Sequence, residues 1–283
     1  MSEVRQVGIV GGGFMGSGIA ESVARAGIAV AVYEPDEAPL ERSRERISTS
    51  VDRAVSGGKL EAGDAEALKG RVTWTRDLEE LAGADVVIEA VVEDLAVKRE
   101  VFERLDAVLG PDALLTSNTS SIPIAELAAS TGRPQQVLGI HFFSPVPVMK
   151  LVEIVVALDT SEESVSRAEA FAESLGKTPI RAGDRSGFIV NALLIPYLIS
   201  AIRMYEEGFA TREAIDEGMK LGCGHPMGPL TLSDFIGLDV VAAVGDSLYD
   251  EFRRPEHAPP PLLRRMVSAG RLGRKSGRGF YEY

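Results

Sequence analysis

The sequence predicts an α/β fold: a mostly parallel sheet with a β-hairpin at its end, followed by an all-α C-terminal domain. Short apolar strand-like runs alternate with helical stretches as far as Ile180, after which only helical stretches remain. Shortly before that change, two apolar runs, Leu138 to Phe143 and Lys150 to Val156, face each other across a turn holding Pro145 and Pro147. Two prolines forbid a continuous helix there, so the segment reads as a hairpin. The domain boundary is expected near Ser186, dividing the chain into residues 1–186 and 187–283.

The first strand, Val7 to Val10, runs straight into Gly11-Gly12-Gly13-Phe14-Met15-Gly16-Ser17-Gly18 and a helical pattern through Ala26. Gly11 and Gly13 permit a tight turn and a close approach of backbone to a pyrophosphate, and Gly16 lets the helix pack on the strand. The helix N-terminus then presents unpaired N–H groups to the phosphates. A second apolar run, Ile28 to Tyr33, ends in Glu34, eighteen residues after Gly16. An acid there bonds ribose hydroxyls and repels a 2′-phosphate, so the Rossmann-type domain is expected to bind NAD in preference to NADP.

Glu37 to Val55 is a charged helix that stops at Ser56-Gly57-Gly58, with Lys59 just beyond. Val72 to Thr75 and Val86 to Ala90 read as further strands, the second apolar on both faces as in a buried parallel strand. Val91-Val92-Glu93-Asp94 leads into a helix containing Lys98. Leu114 to Thr116 is the next strand, and Ser117-Asn118-Thr119-Ser120-Ser121 follows at its carboxyl end, where open α/β sheets hold ligands. These polar groups serve equally well as caps for the helix entered through Pro123.

In the hairpin, a turn centred on Pro147 sets His141 opposite Glu153 on one face. A carboxylate on one ring nitrogen fixes the tautomer and stabilises the imidazolium, leaving the other nitrogen to take a proton from a hydroxyl. Taken alone, such a pair reads more readily as a core histidine beside a rim glutamate, and the rest of the chain decides. Helices are expected over Ser161 to Leu175, Phe188 to Glu207, Thr211 to Leu221, Leu230 to Phe235, Val240 to Tyr249 and Leu262 to Ala269, with a last strand at Thr178 to Ile180. Asn191, polar within the apolar run Phe188 to Ile202, needs partners. Backbone groups or a substrate oxygen would serve, and by itself it reads as structural.

Thirty basic and forty-two acidic residues give a net charge of −12, which opposes general binding to nucleic acid or an anionic membrane. The longest apolar run is too short and too interrupted for a bilayer span. The lone cysteine, Cys223, excludes an internal disulfide, and the start lacks a signal-peptide layout; both readings point to the cytoplasm. His225, His257 and Cys223 lack metal-ligand spacing, so no metal is expected. The tail from Arg271 to Tyr281 gathers four cations, either as a solvated turn or as a clamp for phosphates.

Together the glycine turn, the 117–121 segment, the His141 to Glu153 stretch, Gly187-Phe188-Ile189-Val190-Asn191, His225-Pro226-Met227-Gly228-Pro229 and Gly273-Arg274-Lys275-Ser276-Gly277 resemble the short-chain L-3-hydroxyacyl-CoA dehydrogenases, most closely the bacterial 3-hydroxybutyryl-CoA dehydrogenases, over nearly the whole chain. The resemblance implies NAD-dependent interconversion of a 3-hydroxyacyl-CoA and its 3-keto form, with His141 as general base and Glu153 as its orienter. It implies substrate contacts by Ser120 and Asn191, and cofactor contacts by Glu93, Lys98, Ser120 and Lys275. Lys59 matches, more weakly, a lysine near the CoA phosphates. Ser144 stands where many members have Asn, so a hydroxyl would replace an amide at the cofactor, and Ala192 stands where many have Arg. A homodimer through the helical domain is expected, since the 188–202 helix is apolar nearly all round. The competing readings are a dehydrogenase of a free hydroxy acid or sugar acid, favoured against only by Lys59 and the cationic tail, and a non-enzymatic, crystallin-like NAD-binding protein.

Overall fold

In the computed structural model, which describes residues 4–283, the chain separates into two compact units after Asp184. The first contains β1 (Gln6–Val10), α1 (Phe14–Arg25), β2 (Ala29–Tyr33), α2 (Glu37–Ser56), α3 (Ala62–Gly70), β3 (Val72–Thr75), β4 (Val86–Glu89), α4 (Leu95–Val108), β5 (Leu114–Ser117), α5 (Ile124–Ala128), β6 (Val137–Phe142), β7 (Leu151–Val156), α6 (Glu162–Ser174) and β8 (Thr178–Gly183). The eight strands form one sheet in the order β3-β2-β1-β4-β5-β6-β7-β8. Every neighbouring pair is parallel except β6 and β7. The hairpin expected at the sheet's end therefore lies one strand in, because α6 carries the chain back to add β8 parallel to β7.

The order reverses between β1 and β4, which makes a crevice at the carboxyl ends of the strands. The glycine turn after β1, the serine-rich segment after β5 and the end of β6 all open onto that edge. Beneath it, Ile9, Val32, Ile88, Leu114 and Ile140 are fully or almost fully buried, as parallel strands covered on both faces require. Local capping agrees with the pattern: the side chains of Asp94 and Ser161 accept from Val97 N and Ser164 N at the starts of α4 and α6. The sequence pattern does not announce α3, which buries only Ala65 and Leu68.

The second unit is helical: α7 (Val190–Glu206), α8 (Arg212–Cys223), α9 (Pro229–Ile236), α10 (Leu238–Phe252) and α11 (Pro261–Ser268). Its own core gathers Ile195, Leu198, Ile199, Ile202, Leu230, Val241, Leu248 and Leu263. α8 stops at Gly224, which is left-handed at φ 69°. α9 is capped from outside: Asp216 on α8 accepts from Leu230 N and Thr231 N at 2.7 and 3.0 Å.

Candidate active site

His141 and Glu153 are register partners across β6 and β7, as a turn centred on Pro147 demands. Nδ1 of His141 lies 2.7 Å from Oε2 of Glu153, and its Nε2 lies 2.9 Å from Oγ of Ser120. In the tautomer with its proton on Nδ1, the ring donates to the Glu153 carboxylate and its Nε2 accepts from the serine hydroxyl. The imidazole and the glutamate are both buried, and the Phe143 ring meets the imidazole edge-on at 4.7 Å. The serine is held by its own loop: Ser117 Oγ accepts from Thr119 N, and Thr119 Oγ1 accepts from Ile122 N at 2.9 Å. Asn118 Oδ1 accepts from Phe142 N at 2.9 Å, tying this loop to the strand that carries His141.

Under the same loop lies a network that the sequence pattern hid. Glu89 ends β4 fully buried, accepting from Ser117 Oγ at 2.6 Å, Val91 N at 2.7 Å and Lys98 Nζ at 2.5 Å. The strand read as apolar on both faces thus contains a charge, and that interruption of an apolar run is the signal that could have found it. Glu93 accepts from the Thr119 and Ser121 hydroxyls and from Ser120 N, and stands 3.3 Å from Lys98. Burial alone would push the Glu93 carboxyl up, but Lys98 and these three donors outweigh it and hold it below the usual glutamate range. Lys98, expected at the cofactor, is 1% exposed, with its ammonium between the two carboxylates. In this structure its visible work is to hold Glu93, and through it the backbone of Ser120.

At the glycine turn, Gly11 has φ 103°, and a Cβ there would sit 2.6 Å from Ala90 O; at Gly16 it would sit 1.8 Å from Gly11 O. Gly13 faces open space, and no side chain caps α1, which begins at the crevice end of the sheet. Glu34 Oε1 accepts from Gly12 N at 2.6 Å, so the carboxylate expected at the ribose stands beside the turn. A close backbone approach, an uncapped helix and an adjacent acid fit a dinucleotide without a 2′-phosphate.

Beside this turn, α1, α2 and the hairpin turn border an open cavity of about 680 Å³. Arg42, Arg46 and Arg53 line one side, and Pro145, Val146 and Pro147 another. Their spacing of four and seven residues aligns the three arginines on one face of α2, a signal available in the charged stretch but not read from it. Arg46 also donates to Gly12 O at 3.2 Å. Lys59 is exposed just past the end of α2 and is not part of the lining, and Ser144 is exposed at the start of the hairpin turn.

Asn191 and Lys275 belong to the second unit. Asn191 is half-buried in the first turn of α7. Lys275 lies 2.6 Å from the Asp239 carboxylate, Arg278 3.6 Å from Glu282, and Arg274 over the Phe235 ring, so the cationic tail is largely paired within its own unit. The tail's glycines serve packing: a Cβ on Gly273 would sit 2.3 Å from Asp234 O, and one on Gly279 would overlap the Asp234 carboxylate. Asp234, fully buried, accepts from Phe280 N and Tyr281 N at 2.9 Å and from the Tyr283 hydroxyl at 3.1 Å.

Residues 6–185 match the family model described as 3-hydroxyacyl-CoA dehydrogenase, NAD binding domain, and residues 187–283 match 3-hydroxyacyl-CoA dehydrogenase, C-terminal domain. Among curated relatives, a 3-hydroxybutyryl-CoA dehydrogenase of Mycobacterium tuberculosis is 56% identical over 282 residues, covering 99% of each chain. The mitochondrial hydroxyacyl-coenzyme A dehydrogenase of Homo sapiens is 41% identical, covering 99% of this chain and 91% of its own. The crystal structure of (S)-3-hydroxybutyryl-CoA dehydrogenase from Ralstonia eutropha superposes with a TM-score of 0.94 at 43% identity, covering 99% of each chain. With both family models and full-length relatives in agreement, the chain belongs to the 3-hydroxyacyl-CoA dehydrogenase family and is an NAD-dependent enzyme of it.

Proposed function

We propose that the enzyme interconverts 3-hydroxybutyryl-CoA and acetoacetyl-CoA, with Ser120, His141 and Glu153 as its acid/base apparatus. The observation that carries this is the continuous chain from the Ser120 hydroxyl through both ring nitrogens of His141 to Glu153. NAD supplies the hydride acceptor when bound, and as NADH the hydride donor. His141 Nε2 takes the proton of the 3-hydroxyl as C3 loses its hydride; in the reverse direction the same imidazolium protonates the oxygen of the reduced ketone. Glu153 keeps the ring oriented and stabilises its positive charge. Ser120 Oγ holds the reacting oxygen, and family membership implies a substrate contact for Asn191.

For the cofactor, the turn of Gly11 and Gly13 would receive the pyrophosphate, with Gly16 packing α1 onto β1, and Glu34 would take the adenosine ribose, while Glu93, Ser120, Ser144 and Lys275 would take the contacts that family membership implies. Lys98 serves through Glu93. The arginines of α2, with Lys59 beyond them, offer the cationic ground that a chain of net charge −12 needs for the CoA phosphates. This arrangement favours a CoA thioester over a free hydroxy acid or sugar acid, and the intact acid/base chain favours an enzyme over a crystallin-like binder.

We also propose a homodimer through the second unit, where Leu193, Phe209 and Leu221 stand exposed, in a reducing, cytoplasmic setting that keeps the exposed Cys223 thiol free. NADH oxidation with acetoacetyl-CoA, beside free acetoacetate, tests the substrate. Rapid turnover of the thioester alone is expected, and turnover of the free acid alone would overturn the CoA assignment.

A further inference from the structure

Lys177 is nine-tenths buried, at 9% exposure, in the joint between α6 and β8, and it has no part in the chemistry described above. Its ammonium donates to Val146 O at 2.5 Å and Met149 O at 2.8 Å, two main-chain carbonyls of the hairpin turn. The lysine itself is fixed at both ends: its N–H bonds Ala172 O at 3.1 Å, and Thr178 N bonds Lys150 O at 2.7 Å. From the other side the turn rests on α1, where a Cβ on Gly18 would touch Val146 at 3.1 Å. Burial and the nearby Arg25 lower the lysine's pKa, while Glu21, itself buried and paired with Arg25 at 2.8 Å, opposes that shift. A charge held in such surroundings needs a reason, and an apolar side chain of the same length would leave both carbonyls without these bonds.

The turn it holds is a wall of the arginine-lined cavity, through Pro145, Val146 and Pro147. His141 and Glu153 are placed differently, by strand register and by Ser120. We propose that Lys177 is a positioning residue for substrate binding: it sets the 145–149 turn against α1 and so shapes the cavity that receives the CoA end of the substrate. This rests on the reading that the cavity receives CoA, and it separates binding from chemistry in one molecule. Loss of the ammonium should loosen the wall and leave the acid/base chain in place.

The test uses the full-length enzyme with Lys177→Met and Lys177→Gln, read by steady-state kinetics with acetoacetyl-CoA and NADH and by thermal unfolding. The expected result is a rise in KM for acetoacetyl-CoA on the order of tenfold, with kcat within about twofold of wild type. With the truncated thioester S-acetoacetyl-N-acetylcysteamine, which lacks the nucleotide half of CoA, KM should be the same for wild type and variants. A lowered Tm with unchanged KM, a fall in kcat at constant KM, or an equal KM rise for the truncated thioester would overturn the proposal. Should Lys177→Met fail to fold, Lys177→Gln, which keeps a donor but not the charge, is read by the same criteria. Wild-type KM is the separate control: equal values for the two thioesters would overturn CoA recognition itself, whatever the variants do.

Discussion

Glu93 in the first unit and Asp234 in the second each accept three hydrogen bonds from a neighbouring loop, yet they are held in opposite directions. Glu93 is partly open to solvent, with 42% of its side chain exposed, and has Lys98 behind it; its carboxyl is held below the usual range. Asp234 is fully buried and has the Asp216 carboxylate for company; burial, aided by that like charge, pushes its carboxyl up despite two backbone donors and a tyrosine hydroxyl. Hydrogen bonds alone do not repay the loss of water, whereas a cation and partial solvation do. The contrast matches the work of each region. One carboxylate stays ionised at a reactive edge, and the other folds the tail.

The strongest way to break the comparison is to remove the cation. Lys98→Met leaves Glu89 as an uncompensated buried charge, and a loss of about 3 to 5 kcal/mol in unfolding free energy is expected from urea denaturation. Because Glu89 and Glu93 hold Ser117, Thr119 and Ser120, activity should fall along with stability. Destabilisation under about 1 kcal/mol would show that the network holds its shape without the lysine.

A smaller effect sharpens the contrast through pH. Glu93 titrates lower in the folded state than in the unfolded one, so the unfolded chain binds its proton more readily. The stability it contributes is present above the ordinary glutamate value of about 4.3 and is lost as pH falls through its lowered value. Asp234 is the reverse: the folded chain binds its proton more readily, so its contribution is complete below about 3.9 and is lost as pH rises through its raised value. With rising pH between 3 and 6, the urea midpoint of Asp234→Asn should therefore gain on that of wild type, whereas that of Glu93→Gln should lose ground to it. Parallel curves for all three proteins would contradict the opposite assignment of the two groups.

What was legible in the sequence follows from which constraints are local. The prolines between residues 143 and 150 fix the turn, the turn fixes the register, and alternation along the strands then places His141 against Glu153 without further information. The glycine turn is equally local, since a positive φ at Gly11 and the near contact at Gly16 act within a few residues. Lys98 was harder to read because a lysine on a mixed helix ordinarily points to water; only the charge inside β4 at Glu89 betrays it. The tail was harder still. Its glycines and cations resemble a phosphate clamp until Asp234, more than forty residues upstream of Phe280, is seen to fill the loop.

The central claim is that Ser120, His141 and Glu153 work as one acid/base unit, and the most direct measurement is kcat for His141→Gln, Glu153→Gln and the double variant, with NADH affinity for each. His141→Gln should lose roughly 10² to 10⁴ in kcat, with NADH binding nearly unchanged because the glycine turn and Glu34 are separate from it. Glu153→Gln should lose turnover too, and adding it to His141→Gln should change little, since an absent base leaves nothing to orient. Losses that multiply independently, or a His141→Gln enzyme that keeps most of its activity, would contradict the account.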